Sequence, residues 1–139
     1  MKRSKTSSQD VSEVRLLLDT AVLIYAIGSP EHLSKRASTA LRNPDNILEL
    51  SSISLVEIAI KSALGKLPIT EAIAREAVNE LSIRVLPYKA EHAFQLFSLP
   101  LHHRDPFDRQ IIAQALCEKI PVVSSDQKFG LYQGLKLLW

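Results

Sequence analysis

In the stretch LHHRDPFDRQIIAQAL, residues 101–116, Asp105 and Asp108 stand three residues apart where an apolar helix pattern begins. Asp19 ends the apolar run VRLLLD, Asp126 ends IPVVSSD, and Glu57 lies within SLVEIAIKSALGKL. Carboxylates gathered in one place push up one another's pKa values until some protonate. A divalent cation removes that repulsion. An all-oxygen ligand set suits Mg2+ or Mn2+, whereas zinc prefers nitrogen and sulfur. Such a site fits phosphoryl-transfer or phosphodiester chemistry, in which the ion clamps a phosphate and activates water. Asp19, Glu57, Asp108 and Asp126 are therefore the candidate metal ligands, with Asp105 near the rim.

Each acid except one also has an ordinary structural reading. Asp105 before Pro106 reads as an N-cap followed by proline at the first helical position. Asp108 then occupies the third helical position, where an acid favours the helix dipole. Ser54 and Glu57 read as an S-x-x-E capping box. Asp126 can cap or turn the segment after its strand. Asp19 alone, closing an apolar strand, lacks a comfortable structural role. The roles are compatible, because one carboxylate oxygen can accept a backbone N–H while the other binds metal. The catalytic reading rests on joint placement.

That placement depends on the elements. Short continuous apolar runs at VRLLLD, NILELS, IRVLP, IPVVSSD and LKLLW read as strands. Between them TAVLIYAIG, EHLSKRASTALRN, SLVEIAIKSALGKL, TEAIAREAVNEL, KAEHAFQLFSLP and the DPFD segment read as helices. Gly28 and Gly65 stand at helix ends, with Pro30 and Pro68 beyond, and Thr70 is a candidate N-cap. Alternating strands and helices predict a three-layer α/β/α sandwich around a central, mostly parallel sheet of about five strands. In such sheets ligands bind beyond the carboxyl ends of the strands. Acids that end strands or occupy first helical turns then converge on one edge.

The 139 residues suit one domain, residues 14–139, after a polar tail over residues 1–13 that is expected to be flexible. Lys2, Arg3 and Lys5 in that tail read as solvated. A hydrophobic share of 46% gives enough apolar surface for a core without disulfides. The single cysteine, Cys117, falls in a helix pattern and reads as a buried inert thiol. With no clean signal region and no spanning segment, a cytoplasmic location is the expectation. The net charge of +2 is too small for a protein that coats nucleic acid, but leaves room for an enzyme that handles RNA briefly.

Four blocks in this order, LLLDTAVLIYA, SSISLVEIAIKSALGKL, LPLHHRDPFDRQIIAQAL and IPVVSSDQKF, with LLW at the end, resemble PIN-domain proteins, specifically VapC-type toxins of bacterial toxin–antitoxin pairs. The resemblance runs from about Leu16 to Trp139. It implies a Mg2+- or Mn2+-dependent ribonuclease that holds one or two ions on Asp19, Glu57 and Asp108. Asp126 matches a fourth, more variable position, and Asp105 belongs to the DPFD subgroup. An activated water would attack the phosphodiester in line and leave 5′-phosphate and 3′-hydroxyl ends. The resemblance also implies a homodimer and a cognate antitoxin. One departure is Ala21, at a place often held by histidine.

Arg104, Arg109, Lys61, Lys66 and Lys128 flank the acids and are candidates for RNA phosphates against a background of solvated charge. His102 and His103 read as exposed rather than metal-binding. Phe94, Phe97, Phe107 and Tyr132 read as core residues, and an aromatic content of 6% argues against a base-stacking platform. The helices over residues 20–28 and 31–43 carry apolar surface that a dimer would use. Three other readings compete. A haloacid-dehalogenase-like phosphatase needs D-x-D after the first strand, where this chain has Asp19-Thr20-Ala21. A receiver domain needs an aspartate after a central strand, and IRVLP ends without one. A catalytically silent PIN-fold binding module has no need of the retained acids.

Overall fold

A computed structural model describes residues 14–139; the tail expected over residues 1–13 lies outside the described residues. The strands are β1 (Val14–Leu18), β2 (Asn46–Ser51), β3 (Arg84–Leu86), β4 (Val122–Val123) and β5 (Leu137–Leu138). The helices are α1 (Thr20–Gly28), α2 (Lys35–Arg42), α3 (Ser52–Ala63), α4 (Glu71–Glu80), α5 (Ala90–Gln95) and α6 (Pro106–Glu118). The sheet order is β3-β2-β1-β4-β5 and every pairing is parallel. Strand order reverses between β1 and β4, which makes the crevice beyond their carboxyl ends the natural ligand position.

Side chains alternate across the sheet, as the pleat requires. Leu16 and Leu18 of β1 join Leu48 and Leu50 of β2 in one core with Val22, Leu23, Leu41 and Ile58 from α1, α2 and α3. Leu17, facing the other way, packs with Ile111, Ile112, Ala115 and Phe129 in a second core under α6. The expected three-layer sandwich is thus observed. The helix anticipated over residues 31–43 is divided: a 3-10 turn at Pro30–His32 precedes α2, because Ser34 caps α2 by accepting the Ala37 N–H at 3.0 Å. KAEHAFQLFSLP likewise tightens from α5 into a 3-10 turn at Leu96–Ser98. Gly65 follows α3 at φ +73°, a backbone region that favours glycine.

A buried charge sits on the Leu17 face. Glu49 of β2 is fully buried and receives Arg15 Nε and Nη2 at 2.5 and 3.1 Å, and Arg84 Nη2 at 3.2 Å. Removing this carboxylate takes away the Glu49 bonds of Arg84 and leaves Arg15 with Glu118 at 3.1 Å. Glu49→Ala is expected to cost about 3 kcal/mol, the low end for breaking a buried pair, because both arginines can turn to water. Arg84→Ala, removing a half-exposed partner, is expected to cost below about 1 kcal/mol. Urea denaturation of the two variants measures the difference.

Several apolar assignments change. Phe94 and Phe97 are exposed rather than core, their rings stacked on each other at 6.4 Å on the surface of α5 and its 3-10 extension. Tyr132 is buried, as expected. Among the described residues α1 and α2 expose no large apolar side chain; α3 does, through Val56 and Ile60, and its C-cap Leu64 continues the four-residue spacing. Cys117 is half-buried, and burial pushes its thiol pKa up, which keeps it unreactive.

Candidate metal centre

Asp19 is the N-cap residue of α1, but its carboxylate makes no capping bond into the helix. It points instead into the crevice and accepts the Ser124 hydroxyl at 2.7 Å. Burial pushes the Asp19 pKa up; the Ser124 bond opposes this, and the charges of Glu57 and Asp126 add to the rise. Ser124 in turn accepts the Asp126 N–H at 3.0 Å, so one hydroxyl links the acids after β1 and β4.

The capping box anticipated for Ser54 and Glu57 is not formed. The N-cap of α3 is Ser51, whose hydroxyl accepts the Ile53 N–H at 3.0 Å. Helix α3 therefore starts a turn earlier than the sequence suggested. Ser54 is buried and accepts the Thr20 hydroxyl at 2.8 Å, tying α1 to α3 beside Asp19. Glu57, one turn further on, loses its structural excuse. It is buried, its Oε2 pairs with Lys61 Nζ at 2.5 Å, and its Oε1 is buried without a hydrogen-bond partner. A charged oxygen left in that state is costly unless a cation completes it.

Asp105 is the N-cap of α6. Its Oδ1 accepts the N–H groups of Phe107 and Asp108 at 2.9 and 3.0 Å, with Pro106 at the first position. Asp105→Ala is expected to cost about 1 kcal/mol of stability, and Asp105→Asn much less because it keeps the acceptor; thermal melts without metal compare them.

Asp108 faces the crevice from the first turn of α6 and is pushed up to about 8, first by burial and then by the charges of Asp19, Asp105, Glu57 and Asp126. Asp126 caps the 3-10 turn Gln127–Leu131 through Oδ1, which accepts the Lys128 N–H at 3.0 Å, and leaves Oδ2 to the site.

His103 corrects the sequence reading. It is buried, not exposed, and its Nε2 lies 2.7 Å from Asp126 Oδ2 and 3.1 Å from Asp108 Oδ2. His102 is exposed, with its ring edge against Tyr132. Neither the His103 contact nor the Ser124 link was read from sequence. The available signals were a serine two residues before Asp126 and a histidine two residues before a helix cap.

The basic candidates separate. Lys61 is engaged by Glu57, while Arg104 and Lys128 are exposed near the acids. Arg109 folds back, donating to the carbonyls of Leu99, Pro100 and His103 at 3.2, 2.9 and 3.1 Å, so its guanidinium holds the loop rather than facing solvent. A groove of about 1010 Å³ between α3 and α4 contains none of the four acids.

The donors present fit a hard divalent cation. They are carboxylates around one crevice, one buried oxygen lacks a partner, and the pKa of one acid is pushed up, first by burial and then by the charges of its neighbours.

Comparison with known proteins agrees with this geometry. Solved structures with similar chains include VapBC2 from Rickettsia felis bound to a DNA fragment from its promoter (TM-score 0.66, 21% identity, covering 89% of this chain and 97% of that one). DNA-bound VapBC from Salmonella typhimurium gives a TM-score of 0.61 at 22% identity, covering 89% and 96%. VapBC-5 from Mycobacterium tuberculosis gives 0.56 at 20%, covering 89% and 97%. No curated protein matches the chain. The PIN domain family matches residues 16–135, nearly the whole described chain. With its parallel sheet and the acids gathered where strand order reverses, this chain belongs to the PIN domain family.

Proposed function

We propose that the protein is a Mg2+- or Mn2+-dependent ribonuclease acting as the toxin of a toxin–antitoxin pair. The observation that carries the reading is the crevice of carboxylates with the unpartnered Glu57 Oε1 and the raised Asp108. The similar solved chains come from VapBC complexes, which supports the toxin role and an antitoxin partner.

Asp19, Glu57, Asp108 and Asp126 would hold one or two ions. A bound ion supplies charge neutralisation of the phosphate and activation of water. Ser124 fixes the rotamer of Asp19, and Lys61 takes one Glu57 oxygen while leaving the other for the ion. Asp105 orients the first turn of α6 and so aims Asp108. Exposed Arg104 and Lys128 receive RNA phosphates, with Lys61 at the inner edge. Arg109 contributes by holding the loop that carries His103. The acting form is a cytoplasmic homodimer, a state that light scattering at working concentration reads directly. Among the described residues no helix is long and apolar enough to cross a membrane.

The test is incubation of a labelled panel of transfer, ribosomal and messenger RNA with Mg2+ or Mn2+, followed by end-group analysis. The reading expects 5′-phosphate and 3′-hydroxyl products and complete suppression by chelator. Cleavage in chelator, or products with 2′,3′-cyclic phosphate ends, would contradict it. A catalytically silent module would give no cleavage while still binding its partner.

A further inference from the structure

His103 looks at first like a further ligand, since its Nε2 and the Oδ2 atoms of Asp108 and Asp126 form a three-atom cluster. The surrounding hydrogen bonds say otherwise. Nδ1 accepts the Asp105 N–H at 3.2 Å, so its lone pair is used and the ring proton lies on Nε2. An Nε2 that carries a proton has no lone pair for a metal. It can donate, and both acceptors within reach are carboxylate oxygens, at 2.7 and 3.1 Å.

Two backbone bonds fix the residue in place, and the ring itself is held by the Asp105 N–H and by one aromatic neighbour. The His103 N–H donates to Tyr132 Oη at 2.8 Å, and its carbonyl accepts Arg109 Nη1 at 3.1 Å. The ring stands edge-on to buried Phe129 at 5.7 Å. Protonating Nδ1 instead would set two N–H groups against each other at the Asp105 amide. The same arrangement recurs far along the fold at His92, where Nδ1 accepts the Lys89 N–H at 2.9 Å and Nε2 meets Glu118 Oε2 at 3.0 Å.

We infer that His103 is a positioning residue, not a ligand: its Nε2–H holds the Asp108 and Asp126 carboxylates together so that the cation is bound through oxygen alone. This rests on the metal-nuclease reading above. It adds a selectivity. A site without a nitrogen donor keeps Mg2+ and Mn2+ as its ions and gives Zn2+ or Ni2+ no imidazole to favour them.

The experiment combines NMR of 15N-histidine-labelled full-length protein with calorimetry. Long-range 1H–15N spectra are expected to show His103 with the proton on Nε2 both before and after saturation with Mg2+. Partners of this kind, acting through a ligand, typically change metal affinity by about 10–100-fold. His103→Ala is accordingly expected to weaken Mn2+ binding by at least about tenfold. His103→Gln, whose side-chain amide can still donate near the Nε2 position, is expected to recover most of it. A His103 Nε2 that loses its proton on Mg2+ binding, or wild-type affinity in His103→Ala, would overturn the inference and leave the nuclease reading standing. A wild type that binds neither Mg2+ nor Mn2+ would overturn both. Because the NMR measurement uses wild-type protein, a variant that fails to fold does not remove the test.

Discussion

Asp108→Asn is expected to melt at a higher temperature than the wild type at pH 8 in chelator, while losing its activity. The folded-state pKa of Asp108 is about 8, against about 3.9 for an unfolded aspartate. Between those values the folded chain keeps a proton that the unfolded chain releases. Wild-type stability therefore falls as pH rises from about 4 to about 8 and levels off above that. The raised pKa of Asp19 acts with the same sign. Four units at about 1.4 kcal/mol each set an upper bound of about 6 kcal/mol. The side chain is 22% exposed and shares its protons with neighbouring acids, so about 2 kcal/mol is the expected size. Asparagine removes the charge and keeps an acceptor for His103. Its melting advantage at pH 8 should be about 5 °C and should shrink at pH 5. An equal loss of stability at both pH values would show that the carboxylate is not frustrated by its neighbours.

The second large effect is the response to metal. A cation that needs Asp108 ionised must displace its proton, so binding and deprotonation are linked. The apparent affinity for Mn2+ is expected to tighten about tenfold per pH unit from pH 6 towards 8 and then to flatten, as one proton per ion requires. At a hundredfold excess over Kd the ion adds about 2.7 kcal/mol to stability, and chelator removes it. Calorimetry in two buffers of different ionisation enthalpy reads the proton count. Affinity that does not change with pH, or that survives Glu57→Gln intact, would mean the ion sits elsewhere.

Much of this fold was legible because its signals are local. Apolar runs marked all five strands, and Thr70, Gly65 and the Asp105–Pro106 pair marked helix ends where the backbone uses them. The errors share a cause: they concern partners distant in sequence. Ser54 and Glu57 have capping-box spacing, yet Ser51 supplies the cap and Ser54 bonds Thr20, thirty-four residues away. Glu49 lies within an apolar strand run, and its partners Arg15 and Arg84 come from the neighbouring strands. His103 reads as loop surface until the turn Gln127–Leu131 brings Asp126 and Phe129 against it. Phe94 and Phe97 fail in the opposite sense: apolar type predicts burial, and a short helix at the edge of the layer supplies nothing to cover them.

The joint placement of Asp19, Glu57, Asp108 and Asp126 was readable because each follows a strand or lies near a helix start on one edge of a parallel sheet. What the spacing could not give is the raised pKa of Asp19 and Asp108. That comes from burial and from the summed charges of neighbours brought together by the turn between strand and helix.

The most direct measurement is RNA cleavage in Mn2+ by the wild type and Asp19→Asn side by side, each with its melting temperature. Asp19 closes β1 and makes no cap bond, so asparagine leaves the helix start intact and removes one charged metal oxygen. A loss of about 4 kcal/mol of transition-state stabilisation, roughly a thousandfold in rate, is expected with the fold unchanged. Cleavage that persists at the wild-type rate in Asp19→Asn would contradict the assignment of this crevice as the active site.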